Sequence, residues 1–272
     1  MSESKTLFAL FEDSNWDAVL NYLESDQGRQ EASEGEILHY RNLYDAPVHI
    51  LRLVCELNPD GLLEAKFVDG LEQYPLFIAL ENPRVNVEVI RTILNVNPLA
   101  AQLSANGSGF TPLHVACSKK LEQSHKIISL LCESNDEALS LRDVRNNFYP
   151  VHYAIQNKSL SIETIELLVN SYPLALRGHE SRPGIAFATL LYFLCCNADR
   201  PHFCELAEIL LRSYPEAAVI KFSDEPLLPE ALPINRLLLY FHVGRHVEPS
   251  LMEKAFMLLA ESFQKVCLIE AS

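Results

Sequence analysis

The sequence contains no Gly-x-x-x-x-Gly-Lys, no Gly-x-Gly-x-x-Gly and no Gly-x-Ser-x-Gly. It therefore offers neither a phosphate-cradling loop nor a nucleophile elbow. Basic residues are scarce: 22 Lys and Arg stand against 36 Asp and Glu, a formal net charge of −14. A nucleic-acid backbone or an anionic membrane surface needs a basic stripe, so the balance argues against both as partners. A partner with a basic surface fits the sign, although solubility alone accounts for an acidic chain. Long apolar runs are missing too. The longest, Ala186–Cys196, is interrupted by Thr189 and falls short of the roughly 20 residues of a membrane span. It reads as a buried helix. Met1–Lys5 lacks a positive segment followed by an apolar one, so no signal peptide is read. The cysteines number 7, an odd count, and form no Cys-x-x-Cys. That excludes a disulfide framework and points to a reducing compartment, cytoplasm or nucleus.

What is present is repetition. Pro112-Leu113-His114-Val115-Ala116 is matched by Pro150-Val151-His152-Tyr153-Ala154 38 residues later, and less closely by Pro75-Leu76-Phe77-Ile78-Ala79 37 residues earlier. Ile37–Arg41 and Leu190–Leu194 continue the series outward. A second marker runs in phase with the first. It comprises Asn58-Pro59-Asp60-Gly61, Asn97-Pro98-Leu99-Ala100, Asn135-Asp136-Glu137-Ala138, Tyr172-Pro173-Leu174-Ala175 and Tyr214-Pro215-Glu216-Ala217, spaced 39, 38, 37 and 42 apart. Between the markers the apolar positions recur at offsets of three and four, which is one face of a helix. Leu51, Val54 and Cys55 in one copy correspond to Ile90, Ile93 and Leu94, to Ile128, Leu131 and Cys132, and to Ile165, Leu168 and Val169. The last residue of each second marker is Gly or Ala, which suggests close approach of a neighbouring backbone. Cys55 and Cys132 fall on core positions and read as small apolar residues.

Each copy thus reads as turn, short helix, loop, longer helix and irregular return. Thr111 is an N-cap, and Pro112 takes the first helical position, where its missing N–H costs nothing. Neither helix can bury its apolar face alone, so the copies must stack. The stretch Gly109-Phe110-Thr111-Pro112-Leu113-His114-Val115-Ala116, with Asn147–Ala154 as a second copy, resembles the ankyrin repeat. The resemblance covers Ile37–Ile220, as five repeats in residues 37–220. The period of 37–42 exceeds the family's usual length of about 33, and the extra residues fall near the Pro-x-Ala-Ala segment. The fold class implied is all-α: an ankyrin-like repeat solenoid of stacked helix pairs joined by short turns or β-hairpin-like loops.

The whole chain, 1–272, reads as a single such domain. Thr6–Ser25 is an opening helix pair in which Trp16, Val19 and Leu23 share a face and Asp13-Ser14-Asn15 offers N-caps; residues 6–25 serve as N-terminal capping helices. Asp26–Glu36 is polar and reads as a loop. Gly178–Gly184 is a longer connection, and Lys221–Leu232, with Pro226 and Pro229, is a linker. Residues 233–272 form a degenerate C-terminal cap: a sixth inner helix over Pro233–Val243, then a helix capped by Ser250 with Glu253 at capping-box spacing.

Catalytic and metal constellations are thin. His114 and His152 occupy the turn signature, where the resemblance implies a structural His bonded to turn backbone. Cys117, three residues past His114, follows a packing Ala and reads as core. His242 and His246 have the i, i+4 spacing of a metal pair, but Gly244 lies between them and no third ligand follows. Cys195, Cys196, His202 and Cys204 form the one dense Cys/His group, at a spacing that matches no standard zinc site. No cofactor is implied.

The resemblance implies a non-catalytic scaffold that binds another protein, as a monomer, through a concave face of turn tips and short helices. By position that face uses Gln73, Glu81 and Asn82; then Ser108, Phe110, Ser118 and Lys119; then Arg145, Asn146, Phe148, Gln156 and Asn157. Phe110 and Phe148 stand just before the Thr/Tyr-Pro turns and read either as binding anchors or as packing against the neighbouring hairpin. Two alternatives stay open: an enzyme or metal-dependent protein using the C-terminal third around Cys195–Cys204, and a structural subunit of a larger assembly.

Overall fold

A computed structural model describes residues 6–34, 36–68, 71–177, 190–197, 199–218 and 249–270. The Gly178–Gly184 connection, the Lys221–Leu232 linker, the sixth inner helix and the His242/His246 pair lie outside the described residues. The chain falls into two compact units, one ending at Pro150 and the other starting at Val151.

The first unit opens with α1 (Leu7–Glu12) and α2 (Trp16–Leu23), the expected pair. The Asn15 side chain accepts the Ala18 amide at 3.2 Å, and Val19 and Leu23 are buried. The stretch read as a polar loop is instead largely a helix, α3 (Asp26–Ser33). Ser25 Oγ caps it by accepting the Gly28 amide at 3.0 Å. Glu31 fastens it to its neighbours, accepting the Leu7 amide at 2.9 Å and the Tyr22 hydroxyl at 2.8 Å. Close approach also requires Gly28, because a Cβ there would stand 2.0 Å from the Tyr22 carbonyl oxygen. These partners come from α1 and α2, so the polar composition of the stretch does not reveal the helix.

In the first copy the short helix is replaced by two 3-10 turns, Ile37–His39 and Arg41–Asp45, separated by an extended Tyr40. The outer helix α4 (Val48–Leu57) follows. The second copy opens on a β-hairpin, β1 (Lys66–Val68) antiparallel to β2 (Leu71–Gln73), with Phe67 opposite Glu72. Its helices are α5 (Pro75–Glu81) and α6 (Val87–Val96), and those of the third copy are α7 (Pro112–Ser118) and α8 (Ser124–Ser134). Outer helices α4, α6 and α8 pack in sequence, as do inner helices α5 and α7. Ile90, Ile93, Ile128 and Leu131 are at most 2% exposed; each such side chain contributes roughly 1.5–3 kcal/mol on burial.

The irregular returns are 3-10 turns, Asp60–Leu63, Pro98–Gln102 and Asp136–Ser140. Gly61, Ala100 and Ala138 are buried there. The second marker's Asn now has a physical role. Asn97 donates its side-chain amide to the Pro59 carbonyl at 3.0 Å, and Asn135 donates to Ala101 at 3.1 Å. The second and third copies are thereby bonded to the start or the body of the return before them.

The second unit contains α9 (Pro150–Gln156), which begins at the boundary, α10 (Ile162–Ser171), α11 (Leu190–Cys195) and α12 (Phe203–Ser213), with returns at Pro173–Arg177 and Pro215–Ala218. Here the marker is Tyr, and the Arg177 guanidinium lies 5.7 Å from the Tyr214 ring centroid, a cation–π contact in place of the amide bond. Arg200 is buried, 2% exposed. Its guanidinium donates to the carbonyls of Ile155 at 2.8 Å, Asn157 at 2.6 Å and Leu160 at 2.9 Å, closing the end of α9 from the next copy's loop. Lys158 and Asp199 pair beside it. The C-terminal helix, Pro249–Glu270, packs on α12, and its Ala255 and Leu259 are buried. It starts with Pro249, so Ser250 lies inside the first turn and is not the N-cap. A proline at the first position needs no N–H partner.

Candidate protein-interaction site

In the third copy residues 105–110 turn at the phase of the β1–β2 hairpin, the Ala105 amide donating to the Phe110 carbonyl, and in the fourth residues 143–148 do the same, the Asp143 amide donating to the Phe148 carbonyl. These turns, here also termed hairpins, carry with the β1–β2 hairpin and the inner helices of the first unit most of the residues expected to bind. Their scaffold is the Thr111–His114 capping box that starts α7. His114 Nδ1 accepts the Thr111 amide at 3.1 Å. Its Nε2 lies 3.2 Å from the Phe148 carbonyl and donates to it, so the fourth copy's hairpin hangs on the third copy's helix. Burial lowers the His114 pKa to about 4, against smaller opposing effects of the Phe148 bond and the Asp143 carboxylate. The imidazole is neutral, with both nitrogens occupied. The structural role implied for this His is what the geometry displays. His39, in the same phase of the first copy, likewise reaches the Glu64 carbonyl at 2.9 Å.

The three positions expected from the second copy are tied inside the protein. Gln73 is a correction: at 8% exposed it is buried, not a surface contact. It turns inward because its Nε2 donates to Glu81 at 3.3 Å, and its Oε1 has no hydrogen-bond partner. Glu81 also pairs with Arg41 at 2.8 Å, and Asn82 donates to Asp45 at 2.8 Å. Glu81 and Asn82 therefore join the first and second copies.

The third and fourth copies present more surface. Lys119, Arg145 and Gln156 are exposed; Ser108, Phe110, Ser118, Asn146, Phe148 and Asn157 are half-buried. Phe110 packs on the His114 ring, with centroids 5.3 Å apart. Ser118 Oγ is taken up by the Val115 carbonyl at 2.9 Å. The Asp143 carboxylate shapes the fourth hairpin, accepting the Asn146 amide at 2.8 Å and the Phe148 amide at 2.9 Å. Gln156 and Asn157 belong to the second unit, where the Asn157 carbonyl receives Arg200.

Two exposed side chains escaped the sequence reading. Val144 is 61% exposed and Leu141 40% exposed. The Val144 amide donates to the Ser108 carbonyl at 2.7 Å, holding the fourth hairpin against the third. One signal was available. Counting back by the period, Val144 aligns with Asn106 and Asp69, and a β-branched apolar residue is unusual where turns favour Asn and Asp.

Among the described residues, the thiol and metal alternatives find no assembled centre. Burial raises the pKa of Cys55 and Cys132 to about 12 and that of Cys117 and Cys195 upward as well. Neutral, enclosed thiols are poor nucleophiles. Cys195 and Cys204 are fully buried while His202 is exposed. Among the described residues no three His, Cys, Asp or Glu side chains are grouped to hold a metal ion. Nor is any described helix long and apolar enough to cross a membrane.

A family model of three tandem ankyrin repeats matches residues 76–177. Residues 76–177 are ankyrin repeats. The match covers the second, third and fourth copies; the first ankyrin-like copy rests on its phase and on its outer helix α4, and the fifth on its phase and its helix pair. No curated protein matches the chain. Ankyrin repeats are generally non-catalytic and mediate protein–protein interaction.

Proposed function

We propose that this ankyrin-repeat chain is a non-catalytic scaffold that binds another protein through the face formed by its hairpins and inner helices, the face that ankyrin stacks leave concave. One observation carries the reading. In the third and fourth copies, Phe110 and Phe148 are half-buried at adjacent hairpins whose backbones are fixed by His114 and Asp143. Rigidly mounted aromatics can contact a partner with little further ordering cost. The compartment proposed is a reducing one, cytoplasm or nucleus. Five of the six described cysteines are buried, which suits small core residues in a reducing compartment.

The test compares the wild type with a Phe110→Ala, Phe148→Ala double variant in affinity purification from native lysate, with thermal unfolding measured on both. A partner protein retained by the wild type and lost by a folded variant supports the reading. The same partner retained equally by both would move the contact elsewhere.

A further inference from the structure

We infer that the surface built by the third and fourth hairpins takes an acidic, extended peptide segment carrying apolar anchors, although the chain itself is strongly acidic. This rests on the protein-binding reading above and names the partner's chemistry. Net charge is unevenly spread. Between Thr6 and Glu36 eight carboxylates accompany one base, Arg29. Between Leu103 and Glu122, and again between Leu141 and Phe148, the sign reverses: those stretches hold four bases, Lys119, Lys120, Arg142 and Arg145, and two acids, Glu122 and Asp143. Asp143 is 3% exposed and its two oxygens hold hairpin amides, so it offers little charge to a partner. Lys119, Lys120 and Arg145 are exposed. Arg142 is partly covered, 5.4 Å from the Tyr149 ring centroid.

The same surface carries the apolar side chains an anchor would touch. Val144 and Leu141 are exposed at the fourth hairpin, and Phe110 and Phe148 are half-buried. The hairpins cannot shift freely, since Val144 is bonded to Ser108 and Phe148 to His114. Between hairpin and Lys119 lies α7, whose 7 residues span about 10 Å. An extended segment of about three or four residues covers that distance, placing an apolar residue at the hairpin and a carboxylate near Lys119. Complementary charge would set the sign of the partner and steer its approach, while the apolar contacts hold it.

The test is selection of phage-displayed random peptides of about 12 residues on the full chain, followed by anisotropy titration of the enriched peptides. The expected result is peptides with net negative charge and at least one aromatic or aliphatic anchor. Their affinity should fall about tenfold or more in Lys119→Glu, Lys120→Glu, Arg145→Glu. It should fall severalfold in Val144→Ser, and weaken as salt rises from about 50 to 300 mM. All four positions are exposed, and circular dichroism checks that each variant stays folded. Basic or neutral peptides that are still lost on Phe110→Ala, Phe148→Ala would overturn the acidic partner while leaving the binding face in place. Peptides indifferent to every variant, or no enrichment at all, would overturn both. Self-association by sedimentation that disappears on the same charge reversal would assign the surface to a second copy's acidic N-terminal helices and overturn the inference as well.

Discussion

His114 Nε2 donates to the carbonyl of Phe148 at 3.2 Å, so one side chain both ends the turn of its own copy and suspends the hairpin of the next. Its other nitrogen is the acceptor for Thr111. A proton on Nδ1 would remove that acceptor, and burial opposes the charge.

That arrangement makes stability pH-dependent. The folded pKa of His114 is depressed to about 4, while an unfolded His titrates near 6.5. The contribution is therefore complete above about pH 6.5 and is lost as pH falls from there toward about 4, because the unfolded chain binds the proton more readily. At pH 5 the loss expected from this residue is about 2 kcal/mol. Urea unfolding at pH 7.5 and 5 should show a smaller pH difference in His114→Asn than in the wild type. Equal differences would assign the dependence to other groups.

Gly107 and Gly109 separate strain from contact. Both have positive φ, 64° and 71°. A Cβ at Gly107 meets open space, whereas one at Gly109 would stand 2.3 Å from the Arg142 carbonyl oxygen. Gly107→Ala should cost about 1 kcal/mol, the left-handed penalty alone. Gly109→Ala should cost at least about 2 kcal/mol more, since backbone must move. Thermal melts of the two variants measure the gap, and equal melting temperatures would contradict the close approach.

The side-chain amides of the second marker should behave as rungs. Removing Asn135 by Asn135→Ala leaves the Ala101 carbonyl without that donor in a buried place. A loss of about 1–3 kcal/mol is expected. Asn97→Ala, at a more exposed position, should cost about 1 kcal/mol or less. Chemical unfolding that ranked the two in the opposite order would argue against the burial reading.

Arg200 is expected to be the costliest single change in the second unit. Three carbonyls depend on its fork, and an ammonium cannot reproduce that geometry. Arg200→Lys should destabilise by about 3 kcal/mol and raise hydrogen exchange first in residues 155–160. Unchanged protection there would show that the loop holds without it.

The sequence by itself determined the repeat, because its markers act locally. Thr111-Pro112 caps a helix, His114 closes on Thr111, and apolar residues at offsets of three and four make a face wherever they occur. It also located the small residues that are buried at the returns, Gly61, Ala100 and Ala138 among them, and the core role of Cys55 and Cys132. Tertiary structure decided what depends on partners far along the chain. Asp26–Ser33 became a helix because Glu31 found Leu7 and Tyr22. Gln73 turned inward onto Glu81, while Val144 was left outside with its backbone bonded to Ser108. Arg200 gained its role only when the fifth copy's loop met the end of α9. A hydrogen bond between residues dozens of positions apart leaves no periodicity to read, so helix faces were legible in the sequence and the surface available to a partner was not.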